Sequence, residues 1–252
     1  MDKNIKPFLL LNGCSFTDNW KPSKDFTDFL GCEHSYTVNI GKPATGFQRT
    51  LRSTIEWIAQ RGDPEFMIIP ITFAHRWELA ISEKDDKLDG TWQPLQMAEM
   101  MPKDLNSLWQ KIDPEVDHDK LRKLLELYYG IIPNIRTYWD KTFAEIIALC
   151  AFLEQRNIKY LMFDMCNDFK TDLIDNFEGF AKVQLIKANN RIIDIFNFCG
   201  NKYMWQSMTN KSDENKVSGL GSEDFNIHHA PPEYLVLEAH LKGYITRNKL
   251  LQ

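Results

Sequence analysis

The chain has 252 residues, enough for one large α/β domain or a domain with an insertion, and its 43% hydrophobic and 26% charged residues exclude a disordered or fibrous protein. A formal net charge of −5 carries no basic excess, which disfavours a nucleic-acid phosphate footprint. The five cysteines, Cys14, Cys32, Cys150, Cys166 and Cys199, are odd in number, far apart and in no CxxC spacing. That pattern points to a reducing compartment and away from a disulfide framework or a zinc ribbon.

The first apolar run, residues 7–11, ends too abruptly for a secretory segment, and no stretch approaches the length of a membrane span. The expectation is a soluble, cytoplasmic protein with no membrane or nucleic-acid partner. Short β-forming runs then alternate with longer helical patterns, which predicts a parallel sheet with helices on both faces. The predicted strands are 7–12, 36–40, 66–71 and 158–163. The helix predicted over 45–61 carries Phe47, Leu51, Ile55, Trp57 and Ile58 near helical spacing. A second helix, 135–156, is wide-faced through Trp139, Phe143, Ile146, Ile147, Cys150 and Leu153. The last runs from about Pro232 to Leu250, with Leu235, Leu237, Ala239, Leu241 and Ile245 expected on its buried side.

A stretch at about 79–134 exceeds what a minimal α/β unit needs and mixes acidic runs with Trp92, Trp109 and three methionines. It reads as an insertion, partly helical at 104–111 and 118–129, packed over the carboxyl edge of the sheet as a lid, a partner surface or extra core.

Two stretches carry chemistry. The run Phe8-Leu9-Leu10-Leu11-Asn12-Gly13-Cys14-Ser15 stops abruptly at a glycine and a serine, placing Ser15 at the carboxyl edge, where open α/β folds build their sites. Ser15 is either a nucleophile or a cap that ends the strand. Near the other end, Asp224-Phe225-Asn226-Ile227-His228-His229-Ala230-Pro231-Pro232 puts acid and imidazole just before a proline-started helix. A serine hydroxyl needs a positioned imidazole to take its proton, and the imidazole needs an acceptor to fix its tautomer.

Together the two ends resemble the SGNH, or GDSL, hydrolase superfamily over nearly the whole chain. Gly13-Cys14-Ser15 looks like the family's Gly-Asp-Ser block with cysteine in the middle, and His229, Pro232, Glu233 and Ala239 fit its His-Pro-x-Pro-Glu register better than His228 does. The resemblance implies a flavodoxin-like, three-layer α/β/α sandwich, a single domain over 1–252, and ester or acyl hydrolysis without a cofactor or metal. It implies Ser15 as nucleophile, His229 as general base and then acid, and Asp224, or Asn226 in the family's acid position, as the group that orients the imidazole.

The oxyanion hole implied is the backbone N–H of Ser15 with that of Ala44 or Gly46, in a turn that resembles the family's second block, with Thr72 at the place of the family's asparagine donor. The stretch from Thr72 through Arg76 to Glu78 resembles divergent, phage-associated members, although Arg76 and Glu78 also suit a structural role, pairing with each other or anchoring the insertion. The implied substrate is a small ester or an acylated carbohydrate. Cys14, Thr72 and Asn226 stand where the family uses Asp, Asn and Asp, and they motivate a second reading: a weak or inactive SGNH-like domain with a binding or structural role, in a virion for instance. Cys14 reads as a small buried thiol, the histidine spacings match no zinc pattern, and no dinucleotide or P-loop motif is present.

Overall fold

The computed structural model describes residues 8–43, 45–72, 74, 76–80, 92–95, 119–120, 123, 127, 135–164, 181–193 and 231–251. Its main sheet is parallel and four-stranded, built from β1 (Leu9–Leu11), β2 (Thr37–Asn39), β3 (Phe66–Ile71) and β6 (Lys159–Asp164) in the order β2-β1-β3-β6. A parallel bridge from Met162 to Ile192 extends the sheet beyond β6, with Ile193 N donating to Met162 O at 2.9 Å. The sequence therefore fills positions 2-1-3-4-5 of a doubly wound sheet, the flavodoxin-like order. The expected strands all form, each within two residues of its expected ends.

Alternation along these strands divides the interior in two, since successive side chains leave opposite faces. Leu10, Met67, Ile69, Ile71, Tyr160 and Met162 enter one core, shared with α3 (Phe47–Arg61), α4 (Ile135–Gln155) and α5 (Ala181–Ala188). Leu9, Leu11, Phe66, Ile68, Leu161 and Phe163 enter the other, shared with α2 (Lys24–Leu30) and α6 (Pro231–Asn248). Helices thus cover both faces, and the class is a three-layer α/β/α fold.

Leu237, Leu241 and Ile245 of α6 are buried as expected, but α6 and α3 also bury polar residues that hydropathy leaves out. On α6 the buried residues are Tyr234, Leu237, Glu238, Leu241 and Ile245, while Leu235 is 55% exposed and Ala239 faces solvent. The buried set follows the i, i+3, i+4, i+7 stripe of a helix; Leu235 lies about a hundred degrees off that stripe, and apolarity alone does not bury it. On α3 the fully buried positions include Arg49, Thr50, Ser53 and Thr54, and Ile55 is 38% exposed. Small hydroxyl residues occupy the inner face because a buried asparagine just after β1 meets it there.

Of the insertion, the described part begins with an antiparallel strand pair, β4 (Trp77–Ala80) against β5 (Trp92–Leu95). The helix expected at 104–111 lies outside the described residues; within 118–129, residues 119, 120, 123 and 127 are described and helical. No helix among the described residues is long and apolar enough to cross a membrane.

Candidate active site

In a sheet of this order, the connections from β1 and β3 leave in opposite directions, so a crevice opens at their carboxyl ends. Ile68 O accepts from Asn12 N at 3.2 Å on the β1 side, and alternate residues of a strand aim their backbone polar groups to the same side. The missing N–H of Pro70 therefore falls beyond the end of β1, where it costs no ladder bond.

The chain leaves β1 through Asn12, Gly13 and Cys14 into α1 (Ser15–Asp18), a single helical turn. Cys14 O accepts from Thr17 N at 2.9 Å and Asp18 N at 3.0 Å, which makes Ser15 the first helical residue. The first N–H groups of a helix have no acceptor within it, so the Ser15 amide is not consumed by α1. Gly13 must lack a side chain here: a Cβ would collide with Thr17 Oγ1 and lie 3.4 Å from Pro70 O. Cys14 is fully buried in the core beneath α2 and α6, away from solvent.

The turn after β2 is tied to this one. Asn39 Nδ2 donates to Thr17 O at 2.6 Å, which also accepts from Trp20 N, and to Trp20 O at 3.1 Å, while its Oδ1 accepts from Gly41 N at 2.9 Å. Lys42 N donates to Gly13 O at 3.0 Å, and Thr45 Oγ1 to Lys42 O at 2.7 Å. Gly46 begins α3 with extended backbone and is buried against Arg76, whose carbonyl a Cβ at Gly46 would overlap.

The segment after β3 closes the third side. Thr72 is fully buried, and its hydroxyl has no hydrogen-bond partner among the described residues. Glu78, on β4, is buried and accepts a two-point fork from Arg52 of α3, Nε to Oε2 and Nη2 to Oε1, both 3.0 Å. That bidentate geometry is the strong form of a carboxylate–guanidinium pair. It anchors the first strand of the insertion to α3, the structural use expected of this segment, with Arg52 as the partner.

Below the edge lies a polar network to which the sequence reading assigns no role. Asn12 is fully buried, and its Nδ2 lies 3.0 Å from Thr50 O and 2.9 Å from both Ser53 Oγ and Thr54 Oγ1. Its Oδ1 accepts from Arg49 Nη1 at 2.9 Å, and the same nitrogen donates to Ile40 O at 2.7 Å. The available signal was an asparagine closing an apolar strand immediately before a glycine, and an arginine in the first turn of a helix.

The structure therefore brings Ser15, Gly46 and Thr72 to one edge of the sheet, on the turns after β1, β2 and β3. The side chain of Ser15 and all of Ala44, Asp224, Asn226, His228 and His229 lie outside the described residues. Strongly shifted ionisations occur elsewhere: burial pushes the Cys32 and Cys150 thiols up to about 11 each and raises the Tyr160 phenol well above its usual range. These groups belong to the core, and none is poised for nucleophilic attack at neutral pH.

No family model and no curated protein matches the chain. Among solved structures, one from Bacteroides fragilis, described as a "putative acylhydrolase", aligns with 14% identity and a TM-score of 0.39, covering 100% of this chain and 90% of that one. The fold assignment stands on the strand order and the two-sided core given above.

Proposed function

We propose that this protein is a serine ester hydrolase of the SGNH type, acting on a small ester or an O-acetyl group of a carbohydrate. The observation that carries the reading is the placement of Ser15. It opens a helical turn at the carboxyl end of β1, beside the crevice where β1 and β3 diverge.

In this reading Ser15 Oγ attacks the acyl carbonyl while His229 takes its proton. The tetrahedral intermediate collapses with cleavage of the acyl–oxygen bond, and His229 returns the proton to the leaving alcohol. Water, deprotonated by the same imidazole, then releases the acid and restores the serine. Asp224 or Asn226 orients the imidazole. Backbone N–H groups of Ser15 and of Ala44 or Gly46 hold the oxyanion, with Thr72 as side-chain donor.

The burial of Thr72 favours a second reading, a domain of the same fold that binds without turnover. A hydroxyl with no exposed surface contributes to an oxyanion hole only if the chain above it moves, and loss of one such donor costs about 2.7–4 kcal/mol of transition-state stabilisation. Hydrolysis of p-nitrophenyl acetate separates the two. Turnover abolished by Ser15→Ala supports the hydrolase; equal rates for wild type and Ser15→Ala support the binding domain.

A further inference from the structure

We propose that Arg49 and Asn12 are positioning residues that hold the Ser15 turn in register with the Gly41–Gly46 turn; the catalytic consequence rests on the hydrolase reading, the positioning does not. Arg49 is the third residue of α3 and only 2% exposed. A cation in the first turn meets the positive end of the helix dipole, and burying a guanidinium is costly unless its N–H groups are bonded. An aliphatic residue would fill the space more cheaply.

The bridge made by Nη1 gives the arginine a use that packing does not. One nitrogen joins the residue after β1, through Asn12 Oδ1, to the residue after β2, through Ile40 O. Asn12 is in turn fixed from the α3 side. Ser53 Oγ spends its proton on Arg49 O at 2.7 Å, so its lone pairs face the asparagine amide, next to Thr50 O and Thr54 Oγ1.

With Lys42 N on Gly13 O, the two turns are joined both below and at the edge. Ser15 follows Asn12 by three residues, and the candidate donors Ala44 and Gly46 follow Ile40 within six. A misplacement of about 1 Å between nucleophile and oxyanion donors is worth ~10²-fold in rate. A lysine carries its three donors on one freely rotating ammonium, whereas the planar guanidinium holds its donors at fixed angles.

The test uses the full chain with Arg49→Met and Arg49→Lys beside wild type. Arg49→Met is expected to lower kcat for p-nitrophenyl acetate about 10–100-fold with KM within about twofold, and Arg49→Lys to recover part of that loss. Native-state exchange of the Lys42 and Gly41 amide protons should rise about tenfold or more in Arg49→Met while the amides of α4 stay unchanged. If Arg49→Met does not fold, the same exchange measured in Arg49→Lys decides, with an increase at Lys42 expected there too. Lys42 exchange equal to wild type, or kcat within about twofold of it, overturns the proposal. A wild type without serine-dependent turnover removes the hydrolase reading, and Lys42 exchange still decides the positioning.

Discussion

Trp20 donates its indole N–H to Glu238 at 3.1 Å, a bond spanning 218 positions of the chain. It joins the segment after α1 to the C-terminal helix, and the Trp20 ring stacks on Tyr234 of that helix with centroids 6.0 Å apart. Ser23 adds two donors to the same carboxylate, its N at 2.9 Å and its Oγ at 2.5 Å, while Ser23 Oγ also caps α2 by accepting from Phe26 N. Glu238 is 3% exposed, so its charge is held almost entirely by these bonds.

Glu238→Ala should therefore cost roughly 3 kcal/mol, because it removes hydrogen bonds to a charged acceptor and leaves the buried Trp20 Nε1 and the half-buried Ser23 N without one. Glu238→Gln keeps an oxygen for Trp20 and the Ser23 amide, and should cost about 1 kcal/mol. Urea unfolding of the two variants beside wild type checks both the size and the order of these losses.

Gly46→Ala is expected to destabilise by about 1–3 kcal/mol, since the added methyl meets backbone at Arg76 and neither element can yield like a flexible side chain. Gly31→Ala makes the control. Gly31 has open space but a φ of +75°, so its cost is conformational and about 1 kcal/mol. Under the hydrolase reading only Gly46→Ala also depresses esterase turnover, which paired unfolding and activity measurements resolve.

Glu145 gives stability a pH dependence of definite sign. Burial raises its pKa above the usual carboxylate value, opposed by Lys141 and reinforced by the charge of Glu78. The native state thus holds the Glu145 proton more tightly than the unfolded chain, so this group favours folding at low pH and loses that contribution as pH rises through its raised native value. Glu145→Gln should be more stable than wild type near neutral pH, with the advantage shrinking as pH falls through the raised native value towards about 4.5 and levelling off below it. Denaturant melts across that range check it; an advantage that grows on acidification contradicts it.

Cys14, Cys32 and Cys150 are buried thiols. With Cys32 and Cys150 pushed up to about 11, the thiolate fraction near pH 8 is ~10⁻³ before access is considered. Iodoacetamide followed by peptide mass spectrometry should leave all three unmodified in the native protein and modify all three in denaturant.

The sheet was legible in the sequence because each buried strand is an uninterrupted apolar run ended by a polar or turning residue, as at Leu11-Asn12-Gly13. The long helix α4 was legible because Trp139, Phe143, Ile146, Cys150 and Leu153 keep one helical face. Alpha-helical faces that bind polar groups were not. The inner face of α3 reads as solvent-facing from Arg49, Thr50, Ser53 and Thr54, and only the approach of Asn12 explains their burial. On α6, Leu235 and Glu238 exchange the places that hydropathy assigns them, because Trp20 and Ser23 present donors to the glutamate. Of the candidate site, sequence order located the three turns at one edge; the Asn12–Arg49 bridge beneath them depends on contacts between residues 37 apart.

The central claim, that Ser15 is a nucleophile activated by His229, is tested most directly by labelling with a fluorophosphonate and locating the adduct by mass spectrometry in wild type, Ser15→Ala and His229→Ala. The account predicts a single adduct on Ser15 in wild type, none at that position in Ser15→Ala, and labelling slowed at least ~10²-fold in His229→Ala. Wild type that acquires no label on Ser15, or that labels no faster than His229→Ala, would contradict it.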